Sequence, residues 1–264
     1  MNWKHVRMGL ALLAILGWAV PGRAQSPAAD PLRELTKAAD LVFRGTVLKP
    51  GAANLEIVEP NDKTAVVRVD EILAAAGTLD DFTGREITVF LRDASAKAGE
   101  QGVFFTTVAL LGESLGVVEV GRRGPEVPRS QVAAAREQLR AEGVRARMEA
   151  SGLAVSGRVV SVKAAAKADG GGVITEHDPQ WREAVVEVRT VLRGQLAEKT
   201  VSVWFPGSQD VMWAQAPKLE AGREGTWLLH RHEAAGRGPV WAVLDPQDQL
   251  SDEEAGIAGG GTTP

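Results

Sequence analysis

The chain is written twice. Residues 39–47 read ADLVFRGTV and residues 151–159 read SGLAVSGRV. AVVRVDEIL at 65–73 answers to AVVEVRTVL at 184–192, and ITVF at 87–90 to VSVW at 201–204. AGEQGVF at 98–104 is matched by AGREGTW at 221–227. The order is kept and only the connections change length, because loops tolerate insertions and strands do not. A duplicated unit of roughly 110 residues is long enough to bury its own core.

Within each copy the apolar residues recur with a period of two, which predicts strands. The first copy has five: Leu41–Val47, Thr64–Leu73, Glu86–Leu91, Gly102–Leu111 and Gly116–Val120. The second has Leu153–Val162, Glu183–Leu192, Thr200–Phe205, Gly225–His230 and Pro239–Leu244. Gly45 inside the first strand marks a bulge or a barrel corner. Five short strands fit a small closed barrel, which removes exposed edges, better than a sandwich of about seven.

The ends and the middle are different. Residues 1–24 carry Lys4 and Arg7, the apolar run MGLALLAILGWAV and small residues before Gln25. That is the pattern of a cleaved signal peptide, too short to span a bilayer comfortably. A short helix follows Asp30 and Pro31, which suit an N-cap and a first helical position. Ser130 to Ala150 reads as a linking helix capped by Ser130, with Val132, Leu139 and Val144 on the packing face and the arginines solvated. The chain divides into a signal peptide (1–24), a first barrel (25–128), the linking helix (129–150), a second barrel (151–250) and a disordered tail (251–264). The Gly170-Gly171-Gly172 loop is expected to be mobile.

There are no cysteines, so thiol nucleophiles, Cys-based metal sites and disulfides are excluded. The formal charge is −4, and losing Lys4, Arg7 and Arg23 makes it more negative. This predicts no nucleic-acid partner, since such binding rests on neutralising phosphates. No segment after the leader is long and apolar enough to predict a membrane span.

The motif Ala39-Asp40-Leu41-Val42-Phe43-Arg44-Gly45-Thr46-Val47, the strand Val186 to Gly194 and the segment Glu220 to Leu228 resemble the N-terminal domain of tissue inhibitors of metalloproteinases and the related netrin-like domains. The resemblance implies an OB-fold barrel. The expected fold is thus mainly β, two tandem OB-like five-stranded barrels joined by a helix after a cleaved signal peptide. The inhibitors hold protease zinc with an N-terminal cysteine; with no cysteine here, that mechanism does not carry over.

The copies differ in aromatics. The first has Phe43, Phe82, Phe90, Phe104 and Phe105; the second has Trp181, Trp204, Trp213, Trp227 and Trp241. Trp204, Trp227 and Trp241 are expected to fill the second barrel. Trp181 and Trp213, with Met212 beside the latter, fall in or near loops and are the candidate binding residues, as a platform for a ring or peptide or as a lid over the barrel end. His230 and His232 can share one strand face, yet no third metal ligand is indicated by spacing. Ser208 lacks the second glycine of a nucleophile elbow. No catalytic residue, metal site or cofactor is therefore predicted. The sequence reads as an exported, secreted or periplasmic, non-enzymatic protein binding a protein, peptide or glycan. The alternatives are a hydrolase using His230, His232 and Ser208, and a purely structural envelope module.

Overall fold

The computed structural model describes residues 30–76, 79–111, 115–165, 177–234 and 238–260. The expected signal peptide, the triple-glycine loop and residues 261–264 lie outside them. Helix α1 (Pro31–Ala38) starts as expected: the Asp30 carboxylate accepts the Leu32 N–H at 3.0 Å, and Pro31 occupies the first turn. Strands β1 (Leu41–Pro50), β2 (Thr64–Ala75), β3 (Glu86–Phe90), β4 (Gln101–Leu111) and β5 (Leu115–Arg123) follow. They close into a barrel in the order β1-β2-β3-β5-β4, with β3 and β5 parallel and the other neighbours antiparallel.

After α2 (Arg129–Ala150), the strands β6 (Leu153–Ala164), β7 (Trp181–Arg193), β8 (Thr200–Pro206), β9 (Glu224–Ala234) and β10 (Gly238–Ala242) repeat this order. Pairing of β10 with β9 closes the second ring, and β8 runs parallel to β10 over two residue pairs. A short turn and β11 (Gln249–Leu250) extend the edge of β9, before α3 (Asp252–Ala258). The fold is mainly β, with an OB-like barrel in each copy.

The duplication reaches the irregularities. β1 slips register against β2 between Val42 and Phe43, Arg44 and Gly45, and Val47 and Lys49. β6 slips against β7 at the three corresponding places, Ala154/Val155, Ser156/Gly157 and Val159/Ser161. These bulges coil the first strand around the barrel. Gly45 and Gly157 sit at the middle bulge because a Cβ there would lie 2.8 Å from the Arg68 carbonyl oxygen and 2.2 Å from that of Glu187. The Ala-Gly-x-x-Gly motif has an equally local cause. Gly99 and Gly222 have φ of 79° and 90°, and their N–H groups donate to Val47 and Val159 carbonyls at 2.8 and 2.7 Å.

Each barrel has its own core. In the first, Leu41, Phe43, Val67, Val89, Phe104 and Val117 are fully buried, with the Phe43 and Phe104 rings stacked at 5.2 Å. In the second, Leu153, Val155, Val186, Val203, Trp227 and Leu229 play this part. Each such side chain contributes about 1.5–3 kcal/mol on burial. Trp227 and the partly buried Trp241 belong to that core as expected. Trp204 does not: Val203 and Phe205 point inward, so alternation sends Trp204 to the outside of the barrel.

α2 serves both barrels. Val132 in its first half packs on Val42, Val103 and Phe105 of barrel 1, while Val144 in its second half packs on Ala154 and Leu228 of barrel 2. The helix begins at Arg129 after Pro128, so Ser130 lies inside it and does not cap. Its arginines, expected to be solvated, staple it down. Arg136 donates to the Ala39 carbonyl at 2.6 Å, and Arg140 and Arg147 pair with Glu253 and Glu254. Those acids belong to α3, which corrects the expectation of a disordered tail from 251. Ser251 and Glu254 form a reciprocal capping box, and Ile257 and Ala258 join the Val144 cluster. Among the described residues no helix is long and apolar enough to cross a membrane.

Candidate functional site

The outside of barrel 2 carries an aromatic cluster built from three strands and a loop. Trp181 opens β7, Trp204 is on β8, and His232 is on β9, where it faces Val240 of β10. The Trp181 ring lies 5.9 Å from Trp204, 4.9 Å from the His232 ring and 6.2 Å from Trp213, all tilted. Tilted pairs at such separations are favoured by the ring quadrupoles, beyond the area they bury. Ala234, Val240 and Ala242 complete the apolar floor. The structure thus brings the candidates Trp181 and Trp213 together, and sets Trp181 also against Trp204, a residue expected to fill the barrel.

Trp213 is supplied by the loop between β8 and β9. That segment has no periodicity to support a strand or helix, and side chains fix it instead. The Ser208 hydroxyl accepts the Asp210 N–H at 3.1 Å, and Asp210 Oδ1 accepts the Met212 N–H at 2.9 Å. The Met212 N–H, and after it His177, hold the Asp210 carboxyl below its usual range. His177 Nδ1 lies 2.9 Å from Asp210 Oδ1, so with the carboxylate ionised the ring donates from that nitrogen. The Trp213 indole N–H donates to the His177 carbonyl at 2.9 Å. Lys218 closes the loop from beneath: its ammonium donates to the carbonyls of Pro206, Ser208 and Trp213 at 2.7, 2.9 and 2.8 Å. Burial pushes its pKa down.

These bonds leave Val211 and Met212 at the tip, 85% and 59% exposed. Trp213 and Trp181 are half-buried. Trp213 packs beside Trp181 on the outer face of the strands rather than over the barrel end. The tip it carries remains free to make contacts.

The other candidates separate. His230 Nε2 lies 3.0 Å from Asp248 Oδ1, and that buried carboxylate also accepts the N–H groups of Leu244 and Asp245. His232 is engaged with Trp181. No hydrogen bond joins Ser208 to a histidine among the described residues, whereas an activated nucleophile needs a base at about 2.6–3.2 Å. Among the described residues, no three His, Asp or Glu side chains gather as a metal site.

Two concavities were not foreseen. A groove of about 400 Å³ opens where β8 and β10 pair only briefly, lined by Leu196, Thr200, Ser202, Arg231 and Trp241. There the Arg231 guanidinium lies 3.8 Å from the Trp241 ring centroid, a cation–π contact. The second lies at the mouth of barrel 1, around Glu119. The sequence signal for that one was Glu119 itself, a lone acid in an apolar strand.

Neither family models nor curated proteins provide a match. A solved structure that shows similarity is the Ifi202 HINa domain in complex with 20bp dsDNA, at 13% identity and a TM-score of 0.20, covering 77% of this chain and 92% of that one. That DNA complex corrects the expectation, drawn from net charge, that nucleic acid is excluded as a partner. Net charge averages over a surface and does not describe a local patch, so the exclusion is withdrawn. At this TM-score the likeness lends no argument to what the chain itself binds.

Proposed function

We propose that this is an exported, non-catalytic binding protein whose principal contact surface is the outer face of barrel 2. The partner class is a protein, peptide or glycan of the envelope or the extracellular space. One observation carries the reading: the exposed apolar tip Val211–Met212 directly precedes Trp213, which packs on Trp181, in a loop fixed by Lys218, Asp210 and His177. Exposing two large apolar side chains on a well-anchored loop costs solvation with no gain in packing, which fits a surface kept for contact. The aliphatic and thioether character of the tip favours a protein or peptide over a sugar, since Met adapts to irregular apolar partners.

Tryptophan fluorescence tests this. The purified protein is titrated with fractionated envelope proteins, peptides and glycans. A saturable change in emission, lost in Met212→Asp and altered in Trp213→Phe, is the expected result. Saturable binding that leaves the emission and both variants unaffected would place the contact surface elsewhere.

A further inference from the structure

The mouths of the two barrels differ in one chemical respect. β5 pairs with β3 through Val117 and Val89, and β10 pairs with β8 through Trp241 and Val203. Two residues further along, Glu119 stands where barrel 2 has Val243. Both are buried, at 6% and 0% exposure, and Val243 is part of the second core. The fold therefore accepts an apolar side chain here, and packing does not require a carboxyl group. Burying one is unfavourable unless it is well paired. Glu119 is thinly paired: the Arg92 backbone N–H reaches it at 3.4 Å, and Arg122 Nε lies 3.8 Å away. Burial pushes its pKa above the ordinary carboxylate value.

Over Glu119 opens a polar pocket of about 450 Å³, bounded by Leu35 of α1, Arg92, Asp93, Arg122 and Arg123. Arg122 is occupied. It lies 5.6 Å from the Phe104 ring centroid, 3.4 Å from a Glu100 oxygen, and donates to the Ser95 hydroxyl. Arg92 and Arg123 are different. Each uses one Nη1 on a backbone carbonyl, of Val120 at 3.1 Å and Arg122 at 3.0 Å. Neither forms a side-chain ion pair among the described residues. A guanidinium has five donors in a planar fork that matches carboxylate and phosphate oxygens. Two forks with spare donors at one concavity suit an anion with several equivalent oxygens.

We propose that the mouth of barrel 1 is a binding site for a small anionic group, a carboxylate or a phosphate, gripped by Arg92 and Arg123 above the Glu119–Arg122 floor. Burial shifts Glu119 towards its neutral form, which lessens its repulsion of an anion bound above it. The site lies in the other barrel from the aromatic face, and its test is independent of that reading.

Isothermal titration at fixed ionic strength decides, with inorganic phosphate and succinate as the two probes. The expected result is saturable binding of at least one, weakened about ten-fold in Arg92→Gln and in Arg123→Gln. Both positions are exposed, so these variants should unfold at the wild-type temperature. Arg231→Gln, at the groove of barrel 2, should bind as the wild type does. Phosphate alone or succinate alone identifies which oxygen geometry the site takes. No saturable binding of either, or an equal loss in Arg231→Gln, overturns the proposal.

Discussion

Three single residues expose the forces that hold this molecule. Gly157 is pinned by contact: its Cβ position lies 2.2 Å from a backbone oxygen, against 2.8 Å at Gly45. Both alanine variants should lower stability by about 1–3 kcal/mol, with Gly157→Ala the worse, in denaturant unfolding. Lys218 is held by three carbonyls and faces no acid among its hydrogen-bond partners. Lys218→Met would orphan those carbonyls. It should cost about 2–4 kcal/mol and make Trp213 more accessible to acrylamide quenching. Glu119 carries a carboxyl raised by burial. Below its unfolded pKa both states are protonated and the group is neutral for stability. As pH rises towards the folded value the unfolded state ionises first, so the folded state loses stability. Glu119→Gln should therefore melt above the wild type at pH 7, with the gap closing by pH 4.

At the scale of elements, α2 behaves as two half-helices fused in one rod. Val132→Ala should loosen barrel 1 and Val144→Ala barrel 2, each by about 2 kcal/mol, seen as amide exchange rising in the facing strands of that barrel and little in the other. The strands were legible because alternation of apolar residues is a direct image of the pleat, and the bulges were legible at Gly45. The same rule, applied residue by residue to Val203, Trp204 and Phe205, already sends Trp204 outward; grouping the tryptophans by strand hid this. α3 was hidden by its glycine- and threonine-rich surroundings. Its start was written nonetheless in Ser251 and Glu254, which have capping-box spacing. The Trp213 loop could not be read. Its shape comes from Lys218, His177 and Asp210 meeting across gaps in sequence, and no local pattern encodes such meetings.

For the whole molecule, duplication set the architecture and divergence set the chemistry. Both barrels keep one strand order, the same three register slips and the same glycine turn before the fourth strand. Identical scaffolds then carry different surfaces: a polar mouth with Glu119 and its arginines on barrel 1, and a tryptophan face with an apolar loop tip on barrel 2. Function on such a scaffold resides in what is grafted onto it. On our proposal, barrel 2 makes the principal contact through the Val211–Met212 tip. The most direct measurement compares a photo-crosslinking residue at position 211 with one at position 57, since Val211 and Ile57 are similarly exposed, at 85% and 79%, on different barrels. A discrete adduct formed from position 211 and absent from position 57 is the predicted result. An adduct from position 57 alone, or none from position 211, would contradict it.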